Sequence, residues 1–376
     1  LRISIAIEKF NPRVGGAERY CWDIAHFLAG RGHEVGIICM TAVEPESPRI
    51  RIHRVPAPRF PQFLRHLGFA LLHSTAVRRL GYDLDLSLGN TFAMDVYQPR
   101  GGIHRAWAER ELVRYPEGLR ELVGILRKVS PKNVVQEWIE HRTFTVTKPE
   151  VVAISAMIRD DLTRYYGYPR HKVRLIPNAI DTGRYSRRHA VHRFEVRSRY
   201  GLSQADHVFL SVSNNLRLKG FDLIVDACRE LLDLPLKVLV IGDDAPWARR
   251  AIKDAGLEGT VVLGGRAEDL EKIYPACDCL VHPAYYDACS RVVLEALASG
   301  IPVITTEANG AKMYVNEGNG CVIPAGDSRA LAGAMRRMAS DLGSQVGEIS
   351  FKDHSETFRE LEGFFEELIL SKGARP

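Results

Sequence analysis

One feature constrains the fold of this chain more than any other: short apolar runs alternate with longer amphipathic ones, and the alternation runs through twice. RISIAIE (2–8) gives way to GGAERYCWDIAHFLAGRG, where Ile24, Phe27 and Leu28 share one helical face and Gly30 or Gly32 ends the helix. HEVGIICM, RIHRVPAP, DLDLSLGN, MDVYQPRG and EVVAIS follow as strand-like runs, with a long charged helical stretch from Arg105 to Thr145 before the last of them. After VRLIPNAIDTGRY the rhythm begins again. HVFLSVSN, LKVLVIGDD, TVVLGG, CLVHPAYY and PVITT read as strands; FDLIVDACRELL, WARRAIKDAG, EDLEKIYPA, RVVLEALASG and SRALAGAMRRMASD read as the helices between them. Such alternation marks parallel sheets covered by helices. The sequence therefore predicts an α/β chain of two Rossmann-like doubly wound domains facing across a cleft. Residues 1–175 form the first and 176–355 the second, with a hinge near Pro177-Asn178, and a last helix, 356–376, crosses back onto the first. Ligands of such sheets sit beyond the carboxyl ends of the strands, where loops turn into helices.

The chain has 376 residues, 45% hydrophobic and 26% charged, an ordinary globular composition with length for two or three cores. No apolar run approaches the roughly 20 residues that span a bilayer. LRISIAIE reads as a buried strand rather than a signal peptide, so a cytoplasmic protein, slightly trimmed at its start, is the simplest expectation. The seven cysteines (Cys21, Cys39, Cys228, Cys277, Cys279, Cys289 and Cys321) are scattered and match no zinc knuckle. They are expected to be reduced core or surface residues, and no metal is expected from them. The net charge of +5 conceals an asymmetry: residues 1–200 carry +13, residues 201–376 carry −8, and segment 51–80 holds six arginines and no acid. A solvated surface would look the same; the functional reading is attraction to a polyanion. No nucleic-acid motif occurs in the sequence, which favours anionic lipid or a phosphorylated substrate.

Three motifs stand at strand-to-helix junctions. In FNPRVGGAER, Gly15 and Gly16 let backbone amides approach a ligand, and the helix start presents the positive end of its dipole. The spacing is neither GxGxxG nor a Walker loop, and a plain turn reads equally well. In SNNLRLKGFDLIVDA, Arg217 and Lys219 can meet a diphosphate, one as a planar fork and one as a point charge. In YYDACSRVVLEALASGIPVITT, Asp287 lies in a loop, Ser290 can cap the helix that follows, and the amides near Arg291 and Val292 suit a phosphate. Glu295 stands about one turn further on. Ionised carboxylates only accept hydrogen bonds, so Asp287 and Glu295 suit pairs of sugar hydroxyls. Two acids around an anion-binding helix start describe a sugar nucleotide; a surface helix could carry the same letters.

Taken in order, these stretches resemble the GT-B glycosyltransferases of family 4, the retaining, metal-independent group. DACSRVVLEALASGIPVITT is similar to the family's E-x7-E signature, RVGGAER to its glycine loop, RGHEV to the end of its first helix, RLKG to its phosphate-binding pair and IPNAID to its interdomain PNG-x-D segment. LVHPAYYDA looks most like the lipopolysaccharide core glycosyltransferases of that family. The resemblance implies a nucleotide-sugar donor, a UDP-sugar by family habit, bound by the C-terminal domain. It also implies a glycan or glycolipid acceptor bound by the N-terminal one, in lipopolysaccharide core or cell-surface polysaccharide synthesis. It implies Glu295 on the ribose, Asp287 on the hexose, Arg217 and Lys219 on the leaving diphosphate, and Gly15 and Gly16 meeting the phosphates as the cleft closes. The backbone near Arg266 would face the base, and His104 in RGGIHRAW would stand near the donor sugar. No cofactor or metal is implied, and a donor phosphate oxygen would take the acceptor's proton. The first acid of the signature is usually Glu; Asp287 is one methylene shorter, which bears on the donor sugar's identity.

Two other readings compete: a non-hydrolysing sugar-nucleotide 2-epimerase on the same architecture, and a non-catalytic sugar-nucleotide-binding protein. Arg105, Arg110, Arg114, Arg120, Arg127 and Lys128 interleave with Trp107, Leu112, Tyr115 and Leu119 in a basic amphipathic stretch. That pattern suits either peripheral contact with an anionic membrane at its inner face or helices packed beside the cleft.

Overall fold

The computed structural model describes residues 1–340, 346–347 and 349–373. The chain divides into two compact units, Leu1–Leu112 with Glu117–Asn178 and His354–Pro376, and Val113–Pro116 with Ala179–Asp353. The division thus falls after Asn178 rather than after residue 175, and the four residues from Val113 to Pro116 group with the second unit.

The first unit contains β1 (Arg2–Ala6), β2 (Lys9–Phe10), β3 (Glu34–Cys39), β4 (Thr41–Ala42), β5 (Ile50–Arg54), β6 (Leu84–Ser87), β7 (Val96–Tyr97), β8 (Glu150–Ala153) and β9 (Val173–Leu175). β2 and β4 pair with each other, and the remainder form one sheet in the order β5-β3-β1-β6-β7-β8-β9. Every pairing in it is parallel. Ile3, Ile5, Val35 and Ile37 are buried because central parallel strands are covered on both faces, which is why they read as continuous apolar runs. Helices α1 (Gly16–Gly30) and α2 (Gln62–Leu80) flank the sheet's first half. The long helix expected over 105–145 is instead broken into α3 (His104–Arg110), α4 (Glu117–Val129) and α5 (Pro131–Arg142), before α6 (Ala156–Tyr166). Pro116 and Pro131 are the reason. Proline lacks the amide a helix interior needs, so each falls at or just before a helix start.

The second unit repeats the plan. It contains α7 (Arg193–Arg199), β10 (His207–Ser213), α8 (Phe221–Arg229), β11 (Leu236–Gly242), α9 (Pro246–Asp254), β12 (Val261–Gly265), α10 (Leu270–Ile273), β13 (Cys279–His282), α11 (Arg291–Ala298), β14 (Val303–Thr306), β15 (Gly320–Ile323) and α12 (Ser328–Ser340). The sheet order is β12-β11-β10-β13-β14-β15, again parallel throughout. The chain winds outward from β10 to β12, then crosses to β13 on the other side. β10 and β13 therefore diverge into a crevice at their carboxyl ends, where such sheets place ligands. The last helix, α13 (His354–Gly373), belongs to the first unit. There Phe358, Leu361 and Phe365 join Ile24 and Leu28 in one apolar cluster, and Glu362 accepts from Arg31 and His33.

Candidate active site

Two loops meet at the β10/β13 crevice. The one after β10 carries Arg217 and Lys219 and ends at Gly220; the one after β13 carries Asp287 and leads into α11. They are fastened backbone to backbone, the Tyr285 amide donating to the Leu218 carbonyl at 3.1 Å. Gly220 has φ +73°, and a Cβ there would lie 2.2 Å from the Pro283 carbonyl oxygen. Only glycine combines that backbone with so close an approach. The glycine of RLKG is thus what lets Lys219 reach the second loop.

Lys219 Nζ donates to Asp287 Oδ2 at 2.6 Å. His282, the last residue of β13, brings Nε2 to 3.2 Å from the same oxygen and 3.2 Å from Ser290 Oγ. Asn309, wholly buried, accepts from the amides of Ser290 and Ala311 through Oδ1 and donates to Thr305 through Nδ2. The Asp287 backbone is itself held between Ala308 and Gly310. Burial pushes the Asp287 carboxyl up, but Lys219 and His282 outweigh it and hold it well below the usual carboxylate range. Burial pushes His282 down, against the pull of Asp287. A neutral imidazole donating to an ionised carboxylate satisfies both directions.

Ser290 does not cap α11 as expected. It occupies the N-cap position, but its hydroxyl is drawn to His282 rather than to the helix amides. The amides at the start of α11 lack intrahelical acceptors and sit at the positive end of the dipole. Glu295 is buried one turn on, accepting from the Tyr274 hydroxyl at 2.8 Å with Arg291 Nε 3.9 Å away. Burial raises its carboxyl above the usual range, although Arg291, Tyr274, Arg184 and Tyr185 oppose this. Arg217 is exposed and stacks its guanidinium 4.7 Å from the Trp247 ring centre. Arg266 is exposed just beyond β12. Asp287, Lys219, Ser290 and the start of α11 with Arg291 and Val292 are therefore brought into one network. His282 and Asn309 complete it and were missed; the polar residues in the otherwise apolar CLVHP and in EANG were their only signal.

Gly15, Gly16 and His104 belong to the first unit. Gly15 is extended at the N-cap of α1, and nothing lies within 4 Å of a Cβ built on Gly16. His104 is the first residue of α3, and its amide donates to the buried Glu140 at 2.5 Å. Its ring stacks on Trp107, and burial, with Lys132, His66 and Arg127 nearby, pushes it down to about 4. Among the described residues one group, His33, Glu362 and Glu366, is close enough to ligate a cation. Glu362 there is already engaged by Arg31 and His33 in anchoring α13.

The model of the family described as Glycosyltransferase Family 4 matches residues 14–184, and that of Glycosyl transferases group 1 matches residues 206–341. The chain belongs to glycosyltransferase family 4. It has the GT-B fold of two parallel-sheet, Rossmann-like domains. The lipopolysaccharide glucosyltransferase WaaG of Escherichia coli is 24% identical over 324 residues, 84% of this chain and 83% of the relative. The crystal structure of WaaG, a glycosyltransferase involved in lipopolysaccharide biosynthesis, superposes with a TM-score of 0.76 at 20% identity, covering 98% of each chain. The N-acetyl-alpha-D-glucosaminyl L-malate synthase of Bacillus anthracis is 23% identical, over 96% of this chain and 94% of its own length. A structure of Anabaena HepE in complex with UDP-glucose matches with a TM-score of 0.64 at 18% identity, over 99% of this chain and 98% of the other. No helix among the described residues of this glycosyltransferase is long and apolar enough to cross a membrane.

Proposed function

We propose that the chain transfers a hexose, with retention, from a UDP-sugar to a hydroxyl of a glycan or glycolipid in lipopolysaccharide core or cell-surface polysaccharide synthesis. The observation that carries this reading is the Lys219–Asp287 pair tied through His282 and Ser290 to the start of α11. The helix amides and Lys219 would take the diphosphate, with Arg217 swinging from Trp247 to join them. As the bond to the leaving group breaks, negative charge grows on that diphosphate, and fixed donors there stabilise the transition state. Asp287 would accept from hexose hydroxyls, Glu295 from the ribose, and the backbone at Arg266 would face the base. A donor phosphate oxygen would take the acceptor's proton, and no metal is required because Lys219 and the amides supply the positive charge. The roles of Gly15, Gly16 and His104 toward the donor rest on the family resemblance alone. The glucosyltransferase relative and the UDP-glucose complex support the donor class.

Thermal shift against UDP, GDP, ADP and their common sugars tests the donor, since a ligand that selects the folded state stabilises it by RT ln(1 + [L]/Kd). UDP and one UDP-sugar are expected to give the largest shifts. Incubation of that UDP-sugar without acceptor should give slow hydrolysis; an epimer would replace this reading by the isomerase.

The first unit supports a further part of the proposal, peripheral contact with the inner face of the cytoplasmic membrane. No residue of α4 is buried, and Leu119, Leu122, Ile125, Leu126 and Val129 are 49–67% exposed along one side, with the exposed Lys128 at its end and Arg127 turned inward to Glu111. An apolar face with a basic end suits an anionic lipid surface. Sedimentation with phosphatidylglycerol vesicles should carry the chain down at physiological salt, and Leu122→Glu/Ile125→Glu should leave it in the supernatant.

A further inference from the structure

The first unit has its own crevice, and it is furnished differently. Its chain winds from β1 outward to β5 and then crosses to β6, so β1 and β6 part at their carboxyl ends as β10 and β13 do. Glu8 follows β1 and Asn90 follows β6, while Arg65 and His66 lie in the first turns of α2. Glu8 Oε1 and His66 Nδ1 are 2.7 Å apart, and Asn90 Nδ2 is 3.3 Å from the same ring nitrogen. A carboxylate on Nδ1 fixes the ring's orientation and its tautomer, so Nε2 is turned to other partners. None of the described residues bonds Nε2. Arg65 Nε lies 3.0 Å from Glu8 Oε2 but at an angle that makes no hydrogen bond, and its side chain is only 24% exposed. Glu8 thus holds the Arg65 guanidinium by its Nε, and its two terminal nitrogens, bonded by none of the described residues, remain open to solvent or a ligand.

His104 extends the same surface. The His66 ring is among the neighbours whose charge opposes protonation of His104. His104 also lines a cavity of about 320 Å³ whose charged lining is mixed, Arg105, Arg127 and Lys128 with Glu109 and Glu137. That volume is at the lower end of what small-ligand sites offer. Segment 51–80, which carries α2, contains no acidic residue, so Glu8 is the counter-charge that holds Arg65 and His66 without neutralising the region.

We infer that Glu8, Arg65, His66 and Asn90 form the acceptor-recognition site, and that the acceptor is a sugar bearing an acidic substituent. His66 Nε2 and the Asn90 amide take its hydroxyls, and the Arg65 fork takes its carboxylate or phosphate. Glu8 is a positioning residue: it aims His66 and Arg65 and need not touch the sugar. The assignment rests on the transferase reading for the word acceptor, but the binding it describes is independent of the donor.

The test uses the whole chain saturated with UDP, so that the phosphate site of the second unit is filled. Calorimetric titration with glucuronate, glucose 6-phosphate and glucose should show one or both acidic sugars binding at least about tenfold more tightly than glucose, the worth of one charge-assisted contact. The better acidic sugar identifies the substituent. Arg65→Gln should remove that preference and His66→Gln should weaken all three sugars, with the Kd for UDP unchanged in both. If His66→Gln loses UDP binding through misfolding, Arg65→Gln, at a partly exposed position, decides alone. Equal affinity for glucose and both acidic sugars, or an acid preference that survives Arg65→Gln, overturns the assignment. Failure of the chain to bind UDP would sink the proposed donor and leave the response to Arg65→Gln still readable.

Discussion

The two units use the same sheet plan and the same crevice, yet they treat polar groups in opposite ways. At β10/β13 the charges already satisfy one another: Lys219 on Asp287, His282 on Asp287 and Ser290, Asn309 on the loop amides. At β1/β6 one carboxylate, Glu8, holds two basic side chains whose outward-facing nitrogens remain unbonded among the described residues. Each crevice is suited to a different task. A site that must stabilise charge developing during a reaction gains most from dipoles fixed beforehand, because none has to reorganise as the bond breaks. A site that must recognise a substrate needs donors that the substrate alone satisfies, since a wrong ligand then leaves them buried and unpaired.

Removing the charge at the centre of the locked network should have the largest effect. Lys219→Ala is expected to lower kcat by about 10²–10³-fold, the cost of one transition-state donor, or about 3–4 kcal/mol. Lys219→Arg should recover part of it, because charge survives while the point contact does not. The mutant must also leave Asp287 in place with only His282 to hold it, so its carboxyl should rise toward the usual range, visible by NMR titration. A Lys219→Ala enzyme within threefold of wild type would mean the second crevice is not where charge develops.

Next in size is the contrast between two glycines that look alike in the sequence. Gly220→Ala forces a side chain into φ +73° and against the Pro283 carbonyl. Backbone strain and overlap each carry about 1–3 kcal/mol, so a loss of about 2–4 kcal/mol in urea denaturation is expected. Gly16→Ala meets open space at a helix start. Its stability should be unchanged or slightly raised. Any fall in its turnover would then report contact with a ligand and not a damaged fold.

Much of this was legible beforehand because the physics was local or periodic. Parallel strands buried on both faces must be apolar throughout, so RISIAIE and LKVLVIG could hardly read otherwise. Lys219, Asp287 and Glu295 were visible because each follows a strand or opens a helix. What escaped depended on tertiary neighbours. The Ser290 hydroxyl had two suitors, the helix amides and His282, and nothing in the sequence shows that a strand-end histidine stands 3.2 Å away. β9 and β15, of three and four residues, are too short for a pattern. The apolar side of α4 has the same letters whether it packs or faces outward, and only the fold leaves it exposed. The Glu8–His66 pair joins residues 58 apart by a contact that no motif spans.

The smallest expected effect is also the most discriminating for the second crevice. Glu295 is buried against Tyr274, and its carboxyl is raised by that burial while Arg291 and the tyrosine hydroxyls pull it back. If it accepts from the ribose diol, Glu295→Gln keeps the shape and one acceptor but loses the charge and turns an acceptor into a donor. The Kd for UDP should rise about tenfold, near 1.4 kcal/mol, while the Kd for pyrophosphate, which has no ribose, should not move. The pH response follows from the sign of the shift. A carboxyl raised in the folded chain takes up its proton earlier as pH falls, so wild-type UDP affinity should weaken above the range where an ordinary glutamate titrates. In Glu295→Gln that slope should shrink to the part set by protonation of UDP's own terminal phosphate. Equal losses for UDP and pyrophosphate would instead place Glu295 on the helix start itself, holding Arg291, with the ribose bound elsewhere.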